Sequence, residues 1–307
     1  IKSFTARLPS LKQVVIFDYA SLSNIVINNS ISYQEILENY EAIEIGFERV
    51  GFDHPLYIMY SSGTTGVPKC IVHGHGGTLV QHLKEHQLQT NISSGDRVFY
   101  FTTCSWMMWN WLVSALGTGA TIMLYDGSPT YPDNTVLWQF ADEEEFSHFG
   151  TSAKYIETLM KDEVNPSAIF KLSNLKVICS TGSPLSAECY DYIYNNVGYV
   201  HLASISGGTD IVSCFVLGVP NIPVRRGEIQ GAGLGMAVEI WGSSGRVNRG
   251  ERGELVCTKP FPSRPVKFWN DIDGKKYHAA YFDRFEGVWA HGDFAEQTLD
   301  NGYIIYG

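Results

Sequence analysis

The sequence predicts an α/β protein with sandwiched, largely parallel sheets and a β-rich, barrel-like end. Apolar runs alternate with helical patterns up to about residue 226, and strands that alternate with helices favour a parallel sheet. From about Gly227 the chain changes to short strands separated by glycines, which is typical of a small barrel or an antiparallel subdomain. We therefore divide the chain into an α/β part, 1–226, and a β-rich subdomain, 227–307.

The individual elements follow from apolar runs bounded by turn residues. Strands are predicted at Val14–Phe17, Leu56–Met59, Val98–Phe101, Ala120–Tyr125, Phe146–Phe149, Leu175–Cys179, Tyr199–Leu202, Met236–Ile240 and Gly253–Cys257. Helices are predicted at Ser32–Ile45, Gly77–Thr90, Ser105–Leu116 and Ser186–Tyr194. Ser32, with Glu35 three residues later, has the pattern of a helix N-cap. The strand Leu56–Met59 is expected to be buried.

Composition and charge narrow the function classes. The formal net charge of −10 argues against nucleic acid as a main partner. The segment from Val98 to Tyr125 has no charged residue, but polar residues and the Gly117–Gly119 break divide it, so we expect no membrane span. The six cysteines are scattered without CxxC spacing, which indicates reduced thiols and a cytoplasmic protein.

Two further patterns do not favour a metal or hydrolase site. His82 and His86 have the i, i+4 spacing of metal ligands, but only Glu85 is near enough in sequence to add a carboxylate, so zinc is not favoured. The chain also lacks the GxSxG pattern, which weighs against a hydrolase of that type.

The stretch YSSGTTGVPK, Tyr60 to Lys69, has little side-chain bulk and many hydrogen-bond donors. Its glycines permit close approach of a ligand, successive backbone N–H groups form an anion-binding nest, and Lys69 adds a cation suited to a polyphosphate. Because Val67 and Pro68 separate the second glycine from the lysine, it is not a Walker A loop. The alternative is a solvated Ser/Thr/Gly turn.

This stretch resembles the phosphate-binding motif of the acyl-adenylate-forming superfamily, which includes acyl-CoA synthetases, luciferases and peptide-synthetase adenylation domains. From about Pro55 the chain is similar to the acetoacetate-activating branch of that superfamily. The motifs that carry the similarity, in the family's order, are IVHGHGG (Ile71–Gly77), WMMWN (Trp106–Asn110), LYDGSP (Leu124–Pro129), FGTSAKYI (Phe149–Ile156), STGSP (Ser180–Pro184), SGGTD (Ser206–Asp210) and VWAHGDFA (Val288–Ala295). The resemblance implies the large N-terminal adenylation core of an AMP-forming ligase that uses ATP, Mg²⁺ and coenzyme A with acetoacetate.

The resemblance also implies roles for residues that contact the phosphates. The candidate catalytic residues are Lys69, Thr209 and Asp210, with Thr209 on the α-phosphate and Asp210 as the magnesium ligand. Because the family usually has Glu where this chain has Asp210, the carboxylate reaches less far, and a water completes the coordination. The alternative is a strand-ending turn with Asp210 as a helix cap. The residues implied in binding the β- and γ-phosphates are Ser61, Ser62, Gly63, Thr64, Thr65, Gly66 and Lys69.

Nucleoside and acid are assigned to other segments by the same resemblance. The turn Gly182, Ser183, Pro184 would flank the adenine, and Asp293 would accept hydrogen bonds from the ribose, the alternative being an exposed turn aspartate. Trp106, Met107 and Gly207 would line the acyl pocket. Acetate-activating relatives typically have a tryptophan where this chain has Gly207, which predicts room for a larger acid. Butyrate and 3-hydroxybutyrate are not excluded, and Gly207 has the alternative of a purely conformational role.

The resemblance implies that the chain is incomplete. Relatives continue into a hinge and a small C-terminal lid domain that carries a catalytic lysine, and we expect this lid and part of the N-terminal region to be absent here. Two alternatives to an acetoacetate ligase stay open. One is an acetyl-, propionyl- or butyryl-type synthetase, and the other is a nucleotide-binding core without complete activity.

Overall fold

The computed structural model describes residues 2–18, 27–61 and 68–307, which form two compact units, Ile1–Val50 and Gly51–Gly307. The helices are α1 Lys2–Thr5, α2 Tyr33–Asn39, α3 His75–Lys84, α4 Met107–Ser114, α5 Val136–Glu143, α6 Ala153–Lys161, α7 Pro166–Ile169, α8 Ala187–Asn196 and α9 Lys275–Tyr281. The strands are β1 Val14–Ile16, β2 Ser30–Ser32, β3 Pro55–Ser61, β4 Lys69–Gly74, β5 Arg97–Tyr100, β6 Thr121–Met123, β7 His148–Ser152, β8 Val177–Thr181, β9 His201–Ser204, β10 Ser206–Gly208, β11 Ser213–Leu217, β12 Gly231–Ala232, β13 Val238–Gly242, β14 Gly245–Arg246, β15 Arg252–Cys257, β16 Lys267–Phe268, β17 Trp289–Gln297 and β18 Tyr303–Ile305. A π-helix, Glu85–Gln89, extends α3, and a 3-10 turn, Ala115–Thr118, extends α4.

The smaller unit contains a parallel pair of strands, β1 and β2, followed directly by α2. The N-cap prediction is confirmed, because the hydroxyl of Ser32 accepts a hydrogen bond from the backbone N–H of Glu35 at 3.0 Å. The predicted end at Ile45 is wrong, since α2 stops at Asn39. Ile43 and Phe47 are more than four-fifths exposed, so they provide no buried face to stabilise further turns.

The larger unit is organised around a five-stranded parallel sheet with the order β6-β5-β7-β8-β9. Helices connect its strands, as parallel neighbours require. Successive residues of β5 point to opposite faces: Phe99 packs into a core with helices α5, α6 and α8, whereas Val98 and Tyr100 pack into a core with α4. The sheet is therefore sandwiched between two apolar layers, which confirms the predicted α/β class. None of the described helices is long and apolar enough to cross a bilayer.

A three-stranded antiparallel sheet, ordered β16-β4-β3, carries the two ends of the Tyr60–Lys69 stretch. β4 lies in the centre and is largely buried, while β3 is an edge strand. The prediction that Leu56–Met59 is buried is wrong, because Leu56 and Ile58 face outward along this edge and are 36% and 43% exposed. Apolar composition alone cannot distinguish an edge strand from a central one. Residues 62–67, between the two strands, lie outside the described part.

The C-terminal part contains an antiparallel sheet with the order β14-β13-β15-β17-β18. The antiparallel prediction is confirmed and the barrel-like one is wrong: in the described residues β14 and β18 are the two edges of the sheet and do not pair with each other, and β18 meets Ile229 only through an isolated bridge at Tyr303. This sheet shares a core with Ile71 of β4 and Phe215 of β11. The subdomain boundary predicted at residue 227 stays a prediction.

Candidate active site

A cavity of about 320 Å³ lies beyond the carboxyl ends of β8 and β9, beside the β10–β11 hairpin. Open α/β sheets bind ligands in crevices at this edge. The cavity brings together predicted site residues from four distant segments of the chain, although the role of each stays a prediction. These residues are Trp106, Met107, Gly182, Ser183, Pro184, Gly207, Thr209 and Asp293.

The predicted phosphate loop is described only at its ends. Ser62, Gly63, Thr64, Thr65 and Gly66 lie outside the described residues. Ser61 ends β3, and its buried hydroxyl has no hydrogen-bond partner in the described part of the chain. Lys69 begins β4 directly opposite Ser61 in the antiparallel register. The described residues thus place an unsatisfied hydroxyl and a cation side by side where the loop begins and ends.

Lys69 reaches Asp210, which is 141 residues away in sequence. Its ammonium donates to Oδ1 of Asp210 in a partly buried ion pair. The hydroxyl of Tyr281 donates to the same oxygen at 2.5 Å. Lys69 Nζ also lies 5.1 Å from the centroid of the Tyr281 ring. Burial opposes ionisation of Asp210, but the donated hydrogen bonds and the adjacent ammonium outweigh it, so the pKa of this carboxyl is lowered. Asp210 is therefore a carboxylate with a fixed, electropositive surrounding.

Thr209 and Asp210 lie in a tight turn between β10 and β11. Val212 in this turn has φ +47°, which a β-branched residue adopts only when its surroundings enforce it. Two histidines provide that enforcement: Nε2 of His73 donates to the carbonyl of Thr209 at 2.8 Å, and Nε2 of His82 donates to the carbonyl of Val212 at 2.5 Å. Burial lowers the pKa of His73 to about 4 and also lowers that of His82. Both rings are therefore neutral at physiological pH.

A buried polar cluster supports the turn from behind. The carboxylate of Glu85 is fully buried, and it accepts hydrogen bonds from Gln81 at 3.0 Å, from Trp111 at 3.0 Å, and from the hydroxyl of Ser213. Nδ1 of His82 lies 2.8 Å from the hydroxyl of Ser114, and Nε2 of His86 lies at the same distance. The i, i+4 histidine pair thus contributes to internal hydrogen bonding, with both nitrogens of His82 engaged. In the described residues, no group of three or more metal-ligating side chains converges.

Gly207 lies at a close approach of two strands. A Cβ at this position would be 2.5 Å from the Cα of Cys214, and closer still to the carbonyl oxygen of Ser213. A side chain at Gly207 would therefore point into the backbone of β11 and not freely into the cavity. Packing therefore explains why this residue is glycine. The alternative, that Gly207 needs a positive φ, is wrong, because its φ is not in the left-handed region.

Asp293 lies on β17 and is half-buried, so it is not the exposed turn residue of the alternative interpretation. The pairing of β15 with β17 is irregular between Glu254 and Val256, where β17 forms a bulge. Gly292 lies in this bulge and has φ +99°. The buried carboxylate of Glu254 accepts from the N–H of Gly292 at 2.5 Å and pairs with Arg284. This bulge turns Asp293 toward the cavity.

The turn after β8 approaches α4. Gly182 has φ +91°, a conformation that favours glycine, and a Cβ there would be 3.6 Å from the ring of Trp106. Trp106 precedes α4 as its N-cap residue, and Met107 begins the helix with its side chain buried. The segments predicted to bind adenine and acid are thus neighbours across one cavity.

Several residues beside this site were not predicted. Tyr281 and Glu254 hold predicted residues in place, and Tyr190 and Tyr303 line the cavity. Nothing in the sequence around Tyr281 indicates a contact with Asp210, since the two are 71 residues apart.

Comparison with known proteins places these features in a family. The family described as AMP-binding enzyme matches residues 4–264. Acetoacetyl-coenzyme A synthetase of Rhizobium meliloti is 57% identical over 94% of this chain and 45% of its own length. Acetoacetyl-CoA synthetase of Gallus gallus is 50% identical over 99% of this chain and 47% of its own length.

A solved structure gives the same result for the fold. The acetoacetyl-CoA synthetase of Streptomyces lividans superposes with a TM-score of 0.92 at 42% identity, over 99% of this chain and 47% of that one. The chain thus spans about half the length of the relatives it matches. Because the family match covers most of the chain and includes the cavity residues from Trp106 to Thr209, this chain belongs to the AMP-binding enzyme family.

Proposed function

We propose that this chain is the nucleotide-binding part of an AMP-forming acetoacetate–CoA ligase. In this reaction an oxygen of the acetoacetate carboxylate attacks the α-phosphorus of ATP and pyrophosphate leaves. The thiol of coenzyme A then attacks the acyl carbon of the adenylate and AMP leaves. The observation that carries the proposal is the convergence of the cavity residues with Lys69 and Asp210 at the carboxyl edge of the parallel sheet.

The phosphate end of the site is assigned to Ser61, the loop 62–66 and Lys69. Clamping the triphosphate places its α-phosphorus for in-line attack and offsets its charge. The unsatisfied hydroxyl of Ser61 and the ammonium of Lys69 are the described groups suited to phosphate oxygens. Thr209, which lines the cavity beside them, is assigned to the α-phosphate.

Asp210 is assigned to magnesium. One ionised carboxylate with phosphate oxygens and waters is the usual donor set of Mg²⁺ bound with a nucleotide, so this residue fits the ion. The lowered pKa keeps it ionised. When bound, the ion supplies charge neutralisation at the phosphates, while Lys69 and Tyr281 hold the carboxylate in place.

The nucleoside and the acid occupy the rest of the cavity. Gly182, Ser183 and Pro184 flank the adenine, and Asp293 accepts from the ribose hydroxyls. Trp106, Met107 and Gly207 line the acyl pocket. Acetoacetate is favoured because the named relatives are acetoacetyl-CoA synthetases and share 57% and 50% identity with this chain. An acetyl-, propionyl- or butyryl-type acid preference is the alternative.

We also propose a cytoplasmic location. All six cysteines are free thiols, four of them buried, as is usual in a reducing compartment. The net charge of −10 supports small-molecule substrates and not nucleic acid as partners.

Nucleotide titrations of this chain test the assignment. Wild type should bind Mg–ATP and should prefer it to Mg–2′-deoxy-ATP, because one acceptor bond from Asp293 is lost with the hydroxyl. Asp293→Ala should weaken ATP binding roughly 10-fold to 100-fold, the effect of losing hydrogen bonds to a charged group, and should erase the preference. Asp191→Ala, which removes an exposed carboxylate of α8, is the matched control and should behave like wild type.

Failure of wild type to bind ATP would refute the nucleotide assignment. An Asp293→Ala variant that keeps the preference for ATP would remove Asp293 from the ribose. The acid is tested separately by acid-dependent pyrophosphate exchange with acetate, butyrate and acetoacetate, in a protein of the relatives' full length that carries this chain. Exchange that is fastest with acetate would refute the acetoacetate assignment.

A further inference from the structure

Tyr281 is the last residue of α9 and is 1% exposed, yet its hydroxyl reaches the proposed phosphate site. That hydroxyl donates to Oδ1 of Asp210 at 2.5 Å. The same ring lies 5.1 Å below the ammonium of Lys69. One buried side chain therefore contacts both charged residues that are assigned to the phosphates and magnesium.

The two donors on Asp210 leave its second oxygen available. Lys69 and Tyr281 both donate to Oδ1, and no side chain in the described ranges donates to Oδ2. A carboxylate held through one oxygen in this way has a fixed torsion, so the direction of the other oxygen is fixed as well. Lys69 alone cannot fix it, because its long side chain is flexible and partly exposed.

The Tyr281 ring is itself immobilised. It stacks on Trp289 with ring centroids 3.7 Å apart and an interplanar angle of 14°. Phe268 packs edge-on against it at 5.7 Å. Trp289 belongs to β17, the strand that also carries Asp293. The hydroxyl position is thus set by a rigid aromatic stack that is continuous with the strand on the ribose side of the cavity.

We propose that Tyr281 is a positioning residue that orients the carboxylate of Asp210 toward the metal-bound phosphates. The inference rests on the proposed nucleotide function and extends it to a residue that touches neither ATP nor metal. Its effect should appear in the affinity for the metal–nucleotide pair, since groups that orient a metal ligand typically change metal affinity about 10-fold to 100-fold when removed.

Tyr277, one turn earlier on α9, provides a matched control. Its ring packs against Phe268, Tyr281 and Trp289 in the same aromatic cluster. Its hydroxyl is buried but has no hydrogen-bond partner in the parts of the chain that are described. Tyr277→Phe therefore removes the same atom from the same cluster without touching Asp210.

The experiment compares wild type, Tyr281→Phe and Tyr277→Phe. Calorimetric titration measures ATP affinity with saturating Mg²⁺ and with a chelator, and electron paramagnetic resonance measures Mn²⁺ binding in the presence of ATP. For Tyr281→Phe we expect Mn²⁺ affinity to fall roughly 10-fold to 100-fold and metal-free ATP affinity to change less than about twofold. Tyr277→Phe should match wild type in both. Thermal melting establishes that each variant is folded.

Four outcomes would overturn the inference, and they do so for different reasons. If wild type does not bind ATP, the proposed function fails and the inference fails with it. If wild type binds and Tyr281→Phe keeps the wild-type Mn²⁺ affinity, only the positioning role fails. If Tyr281→Phe weakens ATP equally with and without metal, or if Tyr277→Phe gives the same loss of Mn²⁺ affinity, the aromatic cluster acts through packing and not through Asp210.

Discussion

Replacing Gly207 by alanine should destabilise the protein and distort the turn that carries Thr209 and Asp210. The added methyl carbon would be 2.5 Å from the Cα of Cys214 on β11, where ordinary contact begins near 3.4 Å. The obstacle is backbone, which cannot rotate away as a flexible side chain could. Strand β11 must therefore move by roughly 1 Å, the difference between these two distances.

The magnitude follows from the cost of overpacking. Forcing one extra methyl into a packed site typically costs about 1–3 kcal/mol. For a domain of this size, each kcal/mol lowers the melting temperature by roughly 2–4 °C. We therefore expect Gly207→Ala to melt about 2–12 °C below wild type, with the upper end favoured because two backbone atoms of Ser213 also lie within 3 Å of the added carbon.

The adjacent glycine is the matched control. A Cβ at Gly208 would lie 3.5 Å from the ring of His291 and 3.9 Å from the backbone nitrogen of Asp210, which are both ordinary contacts. Its φ is not in the left-handed region, so Gly208→Ala should leave the melting temperature unchanged or raise it slightly. Melting followed by circular dichroism distinguishes the two variants. A Gly207→Ala protein that melts within about 1 °C of wild type would refute the reasoning. A side chain at this position could then extend into the cavity, as the comparison with the tryptophan of acetate-activating relatives assumes.

Two further predictions concern groups that support the site. Burial lowers the pKa of His73 from an ordinary 6.5 to about 4, so between these pH values the unfolded chain binds a proton that the folded chain does not. The free energy of unfolding should therefore fall as pH drops from 6.5 toward 4, by on the order of 3 kcal/mol for this residue alone. Between pH 6.5 and 4, the melting temperature of His73→Gln should fall less steeply than that of wild type. The exposed control His278→Gln should fall as steeply as wild type. Glu254→Gln should weaken the hydrogen bond to Gly292 that holds the bulge beside Asp293. In paired titrations the preference for ATP over 2′-deoxy-ATP should then fall several-fold, and an unchanged preference would contradict this role of Glu254.

Local pattern predicted the parallel sheet well because its strands are buried on both faces. Buried parallel strands appear as uninterrupted apolar runs, and the segments at Val98, Leu175 and Tyr199 all lead into strands of that sheet. The same rule failed at Leu56, where an apolar run forms an exposed edge. Helices α5 and α6 were not predicted, since short amphipathic helices that begin after polar turns give a weak periodic signal.

The open sheet at the C-terminal end shows a different limit. Short strands separated by glycines are compatible with a barrel and with an open antiparallel sheet, because closure depends on whether the two edge strands meet. Here β14 has two residues and β18 has three, so each edge offers few backbone groups for pairing. Because strand boundaries are the feature that sequence patterns predict least reliably, the sequence did not distinguish the open sheet from a barrel.

The candidate site divides into residues that face the cavity and residues that hold them, and only the first group could be predicted. Cavity-facing residues occur in short motifs, where glycines and hydroxyls adjoin a charge. Their supports come from far away in sequence: His73 contacts Thr209 across 136 positions, Tyr281 contacts Asp210 across 71, and Glu254 contacts Gly292 across 38.

These supports satisfy hydrogen-bonding groups that burial would otherwise leave unpaired, so they are fixed by the fold and not by any local pattern. A buried tyrosine or glutamate in an apolar run has the same sequence signature whether it supports a site or only fills a core. Tyr281 and Tyr277 lie one turn apart on the same helix and pack in one aromatic cluster. In the described residues the hydroxyl of Tyr281 donates to Asp210, whereas that of Tyr277 has no hydrogen-bond partner. The contacts that hold the candidate site residues therefore become visible only when the strands β10, β11 and β17 are placed around the cavity.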